Sequence, residues 1–204
     1  MYLPNQFNDT QYILDVMRGH PFASLISNDE QGFPFVTHLP LHVDMRDESL
    51  FILGHCAKAN PHWKYLEARP EALITFTGPQ AYMSPRVYPD LVRVPTWNYI
   101  AIHVRVRAKI VAEENTKDLL LKQLIADHEE EYAVQWRGLP EKYTTQMLGA
   151  IVGFELEALD IQSKFKLNQH RPEAHSVMYK NYIQGNEQEK ELAAWMRKLN
   201  MKID

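Results

Sequence analysis

A chain of 204 residues, 45% hydrophobic and 24% charged, has the composition of an ordinary globular protein and the length for one well-buried core. Its net charge of -4 excludes an overall positive field that would draw it to nucleic acid or anionic lipid. The single cysteine excludes an intramolecular disulfide framework and favours a reducing compartment.

The opening "MYLPNQFNDTQ" has neither a basic start nor an apolar core, so it does not read as a secretory signal. No apolar run approaches the roughly 20 residues that a spanning helix needs. The expectation is a cytoplasmic protein without a membrane segment. It is read as one domain over residues 1–204, with helical insertions at about 116–148 and a C-terminal helix at about 187–200.

Asn8, Asp9 and Thr10 are candidate caps for a first helix carrying Ile13, Val16 and Met17 at helical spacing. A strand is predicted at Ala23–Ser27, followed by a turn over "NDEQGFP". "FVTHLPLHV" alternates: Phe35, Thr37, Leu39, Leu41 and Val43 share one face, and Val36, His38, Pro40 and His42 share the other. It reads as one strand. Because Pro40 withholds an amide, that strand belongs at an edge, at a bulge or beside a ligand.

"SLFILGH" and "ALITFTG" are two further strands, separated by a helix ending near Arg69 and Pro70. "YIAIHVRVRAKIV" has the clearest period, with Ile100, Ile102, Val104, Val106 and Ile110 inside and His103, Arg105, Arg107 and Lys109 on a solvated outer face. "NTKDLLLKQLIADHEEEYAVQW" reads as one helix with Leu120, Leu124 and His128 on a stripe. A short helix follows Pro140, then a last strand over "AIVGFELEALDIQ" and a terminal amphipathic helix over "EQEKELAAWMRKLN". About six mostly antiparallel strands with helices between them predict a mainly β, α+β fold: a barrel decorated with helices.

The stretch "GHCAKANPHW" concentrates chemistry and admits three readings. A structural zinc site wants four closely set ligands, usually with a thiolate pair, and Cys56 has no partner. A Cys56 nucleophile needs a base within reach, and His55, its sequence neighbour, points to the opposite face of a strand. The third reading is a cradle for an anion. Asn60 followed by Pro61 starts a helix, and His55 and Lys58 stand in or beside the loop before it. Local chemistry alone supports this reading and a plain capped surface helix equally.

Five ordered segments, "MYLPNQF", "GHCAKANPHW", "GPQAYMSPRVY", "VPTWNYIAIHV" and "FKLNQHR", resemble the PaiB-type family, described as FMN-binding negative transcriptional regulators. The resemblance covers nearly the full length. It implies an antiparallel FMN-binding split barrel, related to pyridoxamine-phosphate oxidases and flavin reductases, that forms a homodimer with flavin at the subunit interface.

By the same resemblance, Thr37, His38, Leu39 and Pro40 lie on the strand beneath the flavin ring. His55, Cys56, Lys58 and Asn60 hold the FMN phosphate, Trp97 and Asn98 supply further contacts, and Lys166, Gln169 and Arg171 approach from the C-terminal segment. Lys58 stands where arginine is as readily expected, and His170 where the family more often shows asparagine. The sequence assigns no catalytic acid or base. It carries no Gly-rich dinucleotide fingerprint and no basic recognition helix, and the acidic run "DHEEE" opposes direct DNA binding, although the family's name implies it. Several functions remain open: a regulator for which FMN is a sensed or merely structural ligand, an NAD(P)H-dependent flavin reductase or oxidase acting on a small molecule, a regulator acting without flavin chemistry, and a dimeric scaffold that has lost flavin.

Overall fold

A computed structural model describes residues 1–90 and 92–203. Among them, seven strands form one sheet and seven α-helices accompany it. In chain order these are α1 (Ile13–Gly19), β1 (Phe22–Asn28), β2 (Pro34–Pro40), β3 (His42–Arg46), β4 (Ser49–Ala57), α2 (His62–Ala68), β5 (Glu71–Met83) and β6 (Thr96–Val111). There follow α3 (Glu114–Ala126), α4 (Tyr132–Arg137), α5 (Glu141–Gly149), β7 (Ile151–Lys166), α6 (His175–Tyr182) and α7 (Glu187–Lys198).

The strand order is β2-β1-β5-β6-β7-β4-β3, and β1 pairs antiparallel with β2 and β5 as β4 does with β3 and β7. The chain divides into two compact units. One comprises 1–16, 77–102 and the residues from 162 onward; the other comprises 17–76 and 103–161.

The second unit contains β1 to β4 and the stretches of β5, β6 and β7 that complete the order. Its topology explains Pro40. The alternating run read as a single strand is in fact two, β2 and β3, which stand at opposite ends of the sheet with only Leu41 between them. Two residues of chain reach at most ~7 Å. The two ends of the sheet therefore meet at this corner, and the sheet curls into a barrel. Pro40 ends an edge strand, where its missing amide costs no ladder bond. Leu41 is buried, and its amide donates to the Pro21 carbonyl at 2.9 Å instead of to a strand.

The inward rows follow the predicted alternation. Ile100, Ile102, Val104 and Val106 of β6 are fully buried, while Arg105, Arg107 and Lys109 face solvent. Gly54 of β4 is required by close approach: a Cβ there would lie 2.6 Å from Leu41 Cδ2 and 2.7 Å from Phe154 Cε2.

The long helix expected from residue 115 to 136 is interrupted. α3 ends at Ala126, α4 begins at Tyr132, and the acidic residues Glu129, Glu130 and Glu131 lie between them. Like charges crowded at the negative end of α3 oppose its continuation. His128, expected on the apolar stripe with the buried Leu120 and Leu124, is exposed in this break.

The first unit carries α6 and α7. α7 opens with a reciprocal capping box between Asn186 and Glu189, and it buries Leu192, Ala193, Trp195 and Met196. α6 has no counterpart in the sequence reading; its eight residues give the apolar period too few turns to register.

Candidate functional site

The loop between β4 and α2 forms largely as its residues dictate. Asn60 Oδ1 accepts the His62 amide at 3.0 Å, which is the capping bond expected for an asparagine before an Asn-Pro helix start. Pro61 has helical dihedrals, φ -70° and ψ -10°, and α2 runs from His62. The neighbouring amides are already engaged: Lys58 N donates at 2.8 Å to Ala150 O, just ahead of β7, and Asn60 N to Ala57 O at 2.8 Å. What the loop offers outward is charge. Lys58 is exposed, and its ammonium has no partner among the described residues.

Two buried ring nitrogens near this loop also lack partners, His55 Nδ1 and His62 Nε2. Burial lowers the pKa of both imidazoles, that of His62 to about 4, so both rings are neutral near pH 7. Cys56 is buried and its thiol pKa is raised by desolvation, the opposite of what a nucleophile needs.

Beside the loop lies β2. Thr37 Oγ1 is 2.7 Å from His62 Nδ1 and 3.2 Å from Asn60 Nδ2. Phe35 meets the His62 ring edge-on at 5.1 Å between centroids. His62, only 1% exposed, thereby joins strand and loop. Sequence reasoning weighed it only as a metal ligand with His55, seven positions away, and otherwise as part of an amphipathic helix; its position directly after Asn-Pro was the available signal. His38, on the other face of β2, pairs with Ser24 Oγ at 2.9 Å, while Leu39 is core and Pro40 is exposed. The second unit thus gathers Thr37, Asn60 and His62 in one hydrogen-bonded group, with His55, Cys56 and Lys58 in the same β4–α2 segment.

The remaining sequence candidates belong to the first unit. Asn98 is 0% exposed, and its Nδ2 donates to Tyr182 Oη at 2.9 Å and contacts Met178 Sδ at 3.2 Å. Trp97, one position earlier and on the opposite face, is 53% exposed and stands edge-on to Tyr82. Lys166 Nζ donates to Thr96 Oγ1 at 2.5 Å and to Trp97 O at 2.6 Å, which ties the end of β7 to the start of β6. Gln169 folds back locally, accepting from Leu167 N at 3.0 Å and donating to Phe165 O. Arg171 is exposed, with Glu173 at 3.9 Å. His170 meets the Phe7 ring edge-on at 5.6 Å.

Among the described residues, no group of three or more His, Cys, Asp or Glu side chains is placed to hold a metal ion. None of their helices is long and apolar enough to cross a membrane.

A seven-stranded sheet whose first and last strands are joined through one corner residue, with helices between its strands, defines a split barrel. The chain belongs to the family described as "Putative FMN-binding domain", whose model matches residues 1–160. It is 34% identical over 190 residues to the protease synthase and sporulation protein PAI 2 of Bacillus subtilis, covering 92% of this chain and 91% of that one. The PaiB-type resemblance carried by the five motifs is therefore borne out. An uncharacterized protein of Saccharomyces cerevisiae is 30% identical over 156 residues, 64% of this chain and 91% of that one.

Solved structures of the same fold include the flavocytochrome Anf3 of Azotobacter vinelandii, with TM-score 0.61, 16% identity and coverage of 79% of this chain and 69% of that one. An FAD- and heme-binding protein of Mycobacterium smegmatis gives TM-score 0.61 at 14% identity, covering 78% and 72%.

Proposed function

We propose that this protein binds FMN, with the phosphoryl group held beside the β4–α2 loop and the ring against β2. The observation that carries the reading is the exposed, unpartnered Lys58 ammonium in the loop directly after the end of β4, where His55 Nδ1 is buried without a partner, in a chain of an FMN-binding family. Because the Lys58 and Asn60 amides already have backbone acceptors, the Lys58 charge, more than a nest of free amides, is the group that attracts a phosphate. Thr37 is the polar side chain of β2 on the face that meets the β4–α2 segment, and His38 is the polar side chain on its other face. Bound FMN would supply electron-transfer capacity through its isoalloxazine, with this chain supplying orientation, charge and exclusion of water.

In the same reading the protein is a homodimer. The exposed Trp97, Tyr82, Val92 and Val94 of the first unit are the side chains that a second copy would cover. Trp97 and Arg171 are the exposed candidates of the first unit, whereas Asn98, Lys166 and Gln169 already have hydrogen-bonded roles within it. We assign no catalytic residue. The regulatory role fits FMN sensing better than direct DNA docking, because the net charge is -4 and the α3–α4 break is acidic.

Fluorescence titration of the purified chain with FMN and with riboflavin tests the proposal. FMN is expected to bind more tightly than riboflavin, and the preference should disappear in Lys58→Ala. No binding of either flavin, together with no thermal shift on adding FMN, would overturn it; at roughly a hundredfold over Kd, binding adds about 2.7 kcal/mol.

A further inference from the structure

The group formed by Thr37, Asn60 and His62 fixes the direction of its own hydrogen bonds. The backbone amide of His62 can only donate, so the Asn60 side-chain atom 3.0 Å away must be its carbonyl oxygen. That orients the Asn60 NH2 toward Thr37 Oγ1, which therefore accepts at 3.2 Å. The remaining contact, 2.7 Å between Thr37 Oγ1 and His62 Nδ1, can run either way according to the imidazole tautomer.

The surroundings decide which way it runs. If Thr37 donated to Nδ1, the ring proton would sit on Nε2, which is buried and has no partner. A buried N–H without an acceptor is among the rarest arrangements in folded proteins, and a buried lone pair is better tolerated. If Nδ1 carries the proton, it donates to Thr37, no buried ring N–H is stranded, and the Thr37 hydroxyl proton is left free for another acceptor. Thr37 is part-exposed on an edge strand, where water or a ligand can take that proton.

We infer that Thr37 is locked as a hydrogen-bond donor, both its lone pairs filled by Asn60 and His62, so that a ligand over β2 must turn an acceptor atom toward it. Naming that ligand as a flavin rests on the function proposed above; the donor assignment does not. The acceptor is a phosphoryl oxygen or a carbonyl or ring nitrogen of the flavin. His62 is a positioning residue: it touches no ligand and sets the direction of the Thr37 hydroxyl. The ring stays neutral at ordinary pH because of its burial, so one tautomer persists.

Two measurements on the full chain test this. Long-range 1H–15N NMR of the histidine rings without ligand is expected to find the His62 proton on Nδ1; a proton on Nε2 overturns the inference whether or not flavin binds. In titrations with FMN and riboflavin, Thr37→Val should weaken binding by about 3- to 10-fold, the effect of one hydrogen bond, while Thr37→Ser keeps wild-type affinity. A loss for FMN alone supports a phosphoryl acceptor, and an equal loss for both flavins supports an acceptor in the shared part. A Thr37→Val protein that binds FMN as tightly as the parent overturns the inference. If the parent binds no FMN, the functional proposal fails and the NMR result alone decides this one.

Discussion

Two asparagines were singled out as cofactor contacts, and the structure treats them in opposite ways. Asn60 sits at a helix start in the barrel unit, where its amide group links a backbone N–H to a threonine that still reaches the surface. Asn98 lies in the other unit among Tyr182 and Met178, all three buried. The first arrangement ends in an unused donor; the second ends on a core phenol, with Asn98 Oδ1 buried and without a partner among the described residues. The Asn60 chain of hydrogen bonds therefore ends where a ligand could reach it, whereas the Asn98 chain ends inside the core.

The largest expected effect breaks the enclosed side. Asn98→Ala removes the donor to Tyr182 Oη, strands a buried hydroxyl and leaves a small cavity, so urea denaturation should show a loss of about 2 to 4 kcal/mol. Burial pushes the Tyr182 pKa up to about 12, so that phenol cannot escape the penalty by ionising. Equal stability with weakened FMN binding would instead return Asn98 to the ligand site and erase the contrast.

The next effect belongs to the open side and depends on pH. His62 has a folded pKa of about 4, against an unfolded value near 6.5. Between these values the unfolded chain binds the extra proton, so stability is at its full value above about pH 6.5 and falls as the pH drops toward 4. The fall should not exceed about 3.4 kcal/mol, the free energy that corresponds to lowering this pKa from near 6.5 to about 4. Denaturation midpoints measured across this range should show the slope in the parent and lose most of it in His62→Asn. No change in slope would mean that the ring titrates normally and is not sealed.

The enclosed and open sites differ in how far sequence could reveal them. Strand alternation made the barrel legible: the inner row of β6 and the faces of the "FVTHLPLHV" run are those the period predicts. The position of Pro40 at an edge was legible too, because a missing amide restricts where a strand can lie. That one run supplies both ends of the sheet was not legible, because side-chain alternation continues across a corner that leaves the facing of residues unchanged. The break after α3 was missed because apolar spacing outweighed the acidic run in the reading. At the site, Asn60 and its cap followed from residue type alone. The link from His62 to Thr37 spans 25 positions and depends on how α2 packs on β2, which no local pattern encodes.

A smaller effect sharpens the open side. Lys58→Ala removes an exposed charge with no described partner, so folding stability should stay within about 0.5 kcal/mol of the parent. FMN affinity should drop by about tenfold, the lower end of what a hydrogen bond to a charged group contributes. Riboflavin affinity should not move. Equal losses for both flavins would take the phosphoryl group away from this loop.

A last, modest effect on stability separates Trp97 from its neighbour. Successive strand residues face opposite ways, so the side chain next to the buried Asn98 is 53% exposed, and its partner Tyr82 is 51% exposed. Their edge-on contact, at 6.5 Å between centroids, is the main interaction lost in Trp97→Ala, which should cost about 0.5 to 1 kcal/mol in dilute protein. That is a fraction of the Asn98→Ala loss one position away. The same substitution should have a much larger effect on self-association measured by sedimentation, because an aromatic at the centre of an interface commonly contributes about 2 kcal/mol or more. A Trp97→Ala chain that associates as the parent does, yet is destabilised as much as Asn98→Ala, would mean that this tryptophan is folded inward in solution. The distinction between the two faces of β6 would then fail at its exposed end.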